Sequence, residues 1–166
     1  MRPEEFPHVV ASHMVKSIDL NHHQTLFAGR MSEWMVETAF MTARNALACH
    51  PGNLVCKRVH KLDFRKPVPA GETFVLEGRV AHVGRTSISV YIEGYILVPQ
   101  SAPVVTADGF VSFVHVTEGT DNIRPLPHGV NAEAPQDPKA IELWQYIEQE
   151  RGGERPQQPA APSVAR

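Results

Sequence analysis

The sequence predicts an α+β chain in which an antiparallel five-stranded sheet wraps around one long central helix, with a short helix towards the C-terminal end. Three observations carry this. Only one long segment, around residues 29–48, has helical length and apolar spacing; five stretches rich in β-branched and aromatic residues surround it; and the links between the last four stretches are too short for crossover helices. With 166 residues, 42% hydrophobic and 20% charged, the chain reads as one ordinary soluble domain over residues 1–150 with a core of useful size.

In chain order, the first extended segment is His8 to Ser17 (HVVASHMVKS). The helix follows from about Gly29 to Ala48, with Met31, Trp34, Met35, Val36, Ala39, Phe40, Met41 and Leu47 occupying most of its circumference, so it needs burial on nearly all sides. Leu54 to Phe64, Thr73 to Val83, Thr86 to Val98 and Val104 to Val116 have strand composition. Their links, Lys66 to Gly71, Val83 to Arg85 and Pro99 to Pro103, predict a meander of antiparallel neighbours. A sheet of this size wrapped around one apolar helix leaves an open side for a second subunit, the hotdog architecture. Near the end, Ile141, Trp144 and Ile147 recur at helical spacing behind an Asp137 cap and Pro138, predicting a short amphipathic helix that covers an edge of the domain. Arg151 to Arg166, rich in Pro, Gln, Gly and Ala, reads as a disordered tail.

Several function classes drop out. Sixteen Lys and Arg against 18 Asp and Glu give a net charge of −2, which argues against nucleic-acid and anionic-membrane partners. Cys49 and Cys56 form no CxxC pair, which predicts neither a disulfide framework nor a zinc knuckle and fits a reduced, cytoplasmic setting. The opening MRPEEFPHVV lacks the basic-then-apolar pattern of a secretory signal, and no apolar run reaches the roughly 18 residues of a membrane span.

Chemistry points to the helix and the loop before it. Glu33 and Glu37 are four apart on one helix face, with Arg44 further along, so each carboxylate either forms an ion pair or serves a reaction. Glu37 lies about two turns in, where substrate entering at the helix start would meet both a carboxylate and free first-turn N–H groups. A carboxylate buried in such a helix has a raised pKa, as general-base work near neutrality requires. Upstream, the polar loop from Asp19 to Gly29 places Asn21, His22, His23, Gln24 and Thr25 near the helix start, and Gly29 lets a ligand approach the backbone. The two adjacent histidines are not at metal-ligand spacing, and no metal is expected. Arg85, Thr86 and Ser87 form a polar hairpin island, and Arg65 and Lys66 a short basic run; turn chemistry or phosphate binding accounts for either.

Taken in order, Asp19-x-Asn21, Leu26-Phe27-Ala28-Gly29, Leu62 to Val68 (LDFRKPV), Val83 to Ser87 (VGRTS), Phe110 to Val116 (FVSFVHV) and Arg124 to Pro127 (RPLP) resemble the bacterial-type acyl-CoA thioester hydrolases of the hotdog superfamily. The match runs from about Met14 to Pro127 without large gaps. It implies an acyl-CoA thioesterase acting without a metal or redox cofactor, built from hotdog dimers that assemble as a trimer of dimers, with CoA across a subunit interface. Two departures stand out. Ala28-Gly29 replaces the family's Gly-Gly, and Val36 occupies the usual position of the catalytic acid, which is displaced by one residue to Glu37. The resemblance implies Glu37 as general base or nucleophile, a backbone N–H near Gly29 for the oxyanion, Asn21 to orient water or carbonyl with His23 assisting, and Arg85 and Ser87, with Arg65 and Lys66, on the CoA phosphates. The rival readings are a non-catalytic acyl-CoA-binding hotdog protein, favoured by Val36, and a hotdog hydratase or dehydratase using His23 with Glu37.

Overall fold

The computed structural model describes residues 1–119 and 122–152. It contains β1 (Val9–Met14), α1 (Ala28–Leu47), β2 (Leu54–Phe64), β3 (Thr73–Val83), β4 (Ser87–Ile96), β5 (Val104–His115) and α2 (Pro138–Gly152). All five strands pair antiparallel in one sheet, in the order β1-β3-β4-β5-β2. Three strands end sooner than predicted: β1 at Met14, β4 at Ile96 and β5 at His115. β1 stops at Met14, where the Val15 N–H turns to the Glu72 carbonyl at 2.9 Å and a 3-10 turn (Ser17–Asp19) takes over.

The predicted meander holds for β3, β4 and β5 only. β2 pairs with β5 at the far edge, and β1 takes the place beside β3. Crossing from β2 to β3 spans three strand spacings, about 14 Å, which the eight residues 65–72 reach easily, since an extended chain of that length covers about 26 Å. Pro67 and Pro69 suit such a crossing because they have no N–H to offer a strand partner. Val68 between them is wholly buried, and its carbonyl accepts from the Leu26 N–H at 2.8 Å, tying the crossing to the segment that leads into α1.

α1 packs on the sheet through one stripe, Met31, Met35, Thr38, Ala39, Thr42, Ala43 and Leu47, rather than on nearly all sides. The two threonines bury their hydroxyls at little cost, because each donates to the carbonyl four residues earlier: Thr38 to Trp34 and Thr42 to Thr38, both at 2.8 Å. Opposite them the sheet presents Gly78, where a Cβ would overlap the Thr42 hydroxyl and press on Ile92. The opposite side of α1 is left uncovered by the described residues: Val36 and Phe40 are half-buried and Met41 is exposed.

α2 lies on the other face of the sheet. Asp137 caps it as predicted, accepting from the Ala140 N–H at 3.0 Å, and Ala140, Leu143 and Ile147 are buried in a second apolar cluster with Ala81, Tyr91 and Phe110. Ile147 is buried as predicted, whereas Ala140 and Leu143 take the places expected of Ile141 and Trp144. The helix also runs through Arg151 and Gly152, which were assigned to the tail; the rest of that tail lies outside the described residues.

Because a Cβ at Gly78 would overlap the Thr42 hydroxyl of α1, Gly78→Val should destabilise the fold by about 1–3 kcal/mol, the usual cost of overpacking. Thermal melts would register this as a Tm drop of several degrees; an unchanged Tm would mean that the helix does not rest on that glycine.

Candidate active site

The loop before α1 is held by its own hydrogen bonds. The buried Asp19 carboxylate accepts from the Lys16 N–H at 3.0 Å and lies 3.3 Å from the Arg30 guanidinium, while its carbonyl accepts from the Phe27 N–H at 2.8 Å. Asn21 closes the inner turn: its Oδ1 accepts from the N–H groups of His23 (2.9 Å) and Thr25 (3.2 Å), and its Nδ2 donates to Thr25 Oγ1 at 3.2 Å. Gln24 takes a left-handed backbone (φ 61°) at the apex. The turn brings the exposed His22 and His23 rings together at 3.9 Å, where side chains adjacent in sequence were expected to diverge. Asn21 is therefore first a loop-holding residue, with one amide hydrogen left to spend.

The loop delivers the chain into α1 with its first turn open. The residue before the helix, Phe27, caps it with no side-chain hydrogen bond, so the N–H groups of Ala28, Gly29 and Arg30 are free of a side-chain cap. The Phe27 ring lies against Gly29, where any Cβ would collide with it. Arg30 bridges loop and helix through Asp19 and also holds Glu33 at 2.8 Å. Glu33 thus pairs with Arg30, not with Arg44 as the spacing had suggested.

Glu37 is different. It makes no hydrogen bond or ion pair with any described residue, and it is exposed rather than buried as expected. It borders an open groove of about 400 Å³ whose other lining residues are Val36, Phe40, Met41, Cys56 and Phe113. The groove is apolar apart from this carboxylate. Val36 and Glu37 both reach it, so the one-residue displacement of the acid leaves a carboxylate in the same groove. Burial pushes the Cys56 thiol pKa up, so it lines the groove as a neutral group. His13, stacked on Trp34 at 4.2 Å and within electrostatic reach of Glu37 and Asp19, has its pKa lowered by burial and is neutral at pH 7.

The structure does not unite every residue singled out in the sequence. From Gly29 to Glu37 the helix advances about 12 Å, too far for one small carbonyl to touch both within a chain. The basic residues divide likewise. Phe64, beside Arg65, pairs with Ala107, whereas Ser87 pairs with Val114, seven residues and about 24 Å further along β5. Arg65 is moreover committed to Asp108 at 2.6 Å. Arg85 is exposed at the β3–β4 hairpin, and Ser87 beside it is half-buried. What the sequence reading missed is the groove wall: Cys56 and Phe113, directly paired across β2 and β5, share the face that looks toward α1. Strand alternation held that signal, but only for a reader who knew that β2 and β5 were neighbours.

Residues 23–101 match the family model described as Thioesterase superfamily. An uncharacterized acyl-CoA thioester hydrolase, YkhA, of Bacillus subtilis (strain 168) is 28% identical over 122 residues, which are 72% of this chain and 66% of that protein. Among solved structures, an apo-hexameric acyl-CoA thioesterase superposes with a TM-score of 0.76 at 23% identity, covering 92% of this chain and 93% of the other. The acyl-CoA hydrolase of Staphylococcus aureus in complex with butyryl coenzyme A, coenzyme A and coenzyme A disulfide gives 0.76 at 22% identity, covering 92% and 91%. Over residues 23–101 the chain is therefore similar to the Thioesterase superfamily, and it shares the hotdog fold of these solved structures.

Proposed function

We propose that this protein hydrolyses acyl-CoA thioesters to CoA and a free carboxylic acid. The observation that carries the reading is Glu37, a carboxylate with no protein partner among the described residues at the edge of an otherwise apolar groove. An apolar groove suits an acyl chain, and the carboxylate beside it suits the thioester carbon. Glu37 then either deprotonates the attacking water or attacks the carbonyl itself to give a mixed anhydride that water hydrolyses; the thiolate of CoA leaves in both routes. The developing oxyanion needs preorganised N–H donors, and the uncapped first turn at Gly29 supplies them. Since Gly29 and Glu37 of one chain stand about 12 Å apart along the helix, the donors come from a second subunit, together with Asn21 and His23. Arg85 and Ser87 take CoA phosphates; Arg65 and Lys66, at the other end of the sheet, meet the same ligand only across a subunit boundary.

The second subunit also answers the uncovered apolar surface. Met41 on α1 lines the groove and is exposed, and Val55 and Val59 are exposed on edge strand β2. An exposed β-edge with apolar residues is a pairing surface. We assign the dimer to this edge, with three dimers forming a hexamer, and we place the enzyme in the cytoplasm with residues 1–150 acting as one domain.

Three outcomes test the reading. Glu37→Gln should leave Tm unchanged and lower kcat on acyl-CoA by about 100-fold or more, with a much smaller change in KM. Adding Val36→Asp should restore part of the rate, because both positions reach the groove. Full activity in Glu37→Gln would reject the catalytic assignment; acyl-CoA binding without turnover in the unmodified protein would establish the non-catalytic alternative. Light scattering should show a hexamer or dimer, and Val59→Asp should shift it toward monomer with loss of activity; an active monomer would remove the two-subunit site. Arg85→Ala should raise KM for CoA esters by several-fold while sparing short thioesters that lack the nucleotide, and an equal loss on both would make Arg85 structural.

A further inference from the structure

On the face of the sheet turned away from α1, a polar row crosses four strands. His82 on β3 is paired in register with Ser89 on β4, and Ser89 with Ser112 on β5; His60 on β2 closes the row. His60 Nε2 meets Ser112 Oγ at 2.7 Å, and Ser112 Oγ meets Ser89 Oγ at 2.6 Å. Both ends lie under the last turns of α2. Beside the row is a cavity of about 330 Å³, walled by the β3–β4 hairpin, β2 and the end of α2.

The hydrogen count in this row does not close. Burial keeps the His60 pKa below the usual histidine range, so near neutral pH the ring carries one N–H. That N–H and the two serine hydroxyls make three donors, and the row contains two hydrogen bonds. One donor is left over. If the bonds run from His60 towards Ser89, the spare is the Ser89 hydroxyl, on a residue only 4% exposed. If they run the other way, it is His60 Nδ1–H, which is buried, has no hydrogen-bond partner and lies 3.6 Å from Glu150. In the first arrangement the spare donor belongs to the cavity.

Positive charge surrounds it. β2 carries two register shifts against β5, between Cys56 and Arg58 and between Val59 and Lys61, and the residues left without a partner in register are Lys57 and His60. Both line the cavity. The shift also puts Arg58 opposite Ser112, so consecutive basic residues reach one face of a strand, which strict alternation forbids. Arg151 closes the far side from α2. Among the described residues the lining holds no carboxylate: Glu148 is turned to His82 and Arg151, and Glu150 to His60.

We propose that this outer-face cavity binds a phosphate group, with Lys57 and Arg151 supplying charge and the Ser87 and Ser89 hydroxyls supplying donors, Ser89 being held by the Ser112–His60 pair. Donors from two strands and a helix converge from several planes, which suits a tetrahedral oxyanion better than a flat carboxylate. Ser87 joins this cavity to the hairpin assigned to CoA above. The inference rests on that assignment for the source of the phosphate, not for the binding itself.

Calorimetric titration with adenosine 3′,5′-bisphosphate, inorganic phosphate and adenosine tests it on the full chain. The bisphosphate should bind, more weakly as salt is raised, and adenosine should not. The Lys57→Ala/Arg151→Ala double variant should lose at least 10-fold in affinity and Ser89→Ala several-fold, with Tm within a few degrees of the unmodified protein. Glu37→Gln should bind the bisphosphate unchanged. Inorganic phosphate binding as tightly as the bisphosphate would identify free phosphate as the ligand; a preference for the bisphosphate would identify a nucleotide. Equal affinity in the unmodified and double-variant proteins, or no binding of either phosphate, would overturn the site. A protein that binds the bisphosphate here but hydrolyses no acyl-CoA would sink the hydrolase reading alone.

Discussion

The close approach of α1 to the sheet governs what the rest of the chain can do. Thr42 rests on Gly78, and the stripe from Met31 to Leu47 fills the concave face, so the helix is committed on one side and bare on the other. The bare side includes Val36, Phe40 and Met41, and Glu37 lies among them. A helix sunk deeper, or one wrapped on all sides, would have put that carboxylate in a closed core, where an unpaired charge costs several kcal/mol. Resting on a glycine, the helix keeps Glu37 exposed at the edge of an apolar groove.

A second constraint fixes where the helix begins. Asp19 and Arg30 clamp the polar loop to the first turn, and Leu26 is stitched to the Val68 carbonyl on the crossing between β2 and β3. The same crossing that sends β2 to the far edge therefore also anchors the start of α1. The loop places Asn21, His23 and the open first turn on one end of the domain, while the carboxylate is about 12 Å along the helix. On the proposed function this spacing makes the single chain half of a site, and the exposed β2 edge and bare helix face are where a second subunit would bring the remaining donors.

The two faces of the sheet have been put to different uses. The concave face is apolar and receives α1, whereas the outer face is divided between an apolar cluster under α2, built on Tyr91, Phe110, Leu143 and Ile147, and the polar row from His82 to His60. Strand alternation makes such a division possible: on β5, Phe113 faces the groove and Ser112, its neighbour, faces the row. The irregularities of β2 add basic residues to the outer face at the edge nearest the β3–β4 hairpin.

Most of the fold was legible in the sequence because it depends on local signals. The limits of β2 and β3, the placing of α1 to within one residue, and the Asp137 cap followed from β-branched runs, apolar spacing and capping chemistry. Glu37 could be singled out because a carboxylate on an apolar helix is anomalous at the level of sequence. Partner choice was not legible in the same way. Whether β2 pairs with β3 or with β5 is decided by where an eight-residue crossing can be tied down, and that depends on Leu26 meeting Val68 across 42 positions of chain. The fate of each charge followed suit: Arg65 met Asp108 and Glu33 met Arg30, while Glu37 formed no hydrogen bond or ion pair with any described residue, because strand order and helix rotation decide which side chains share a surface. Residue types and periodicities determined the elements and the anomaly; long-range pairing, which no local pattern encodes, decided which residues meet to form a site.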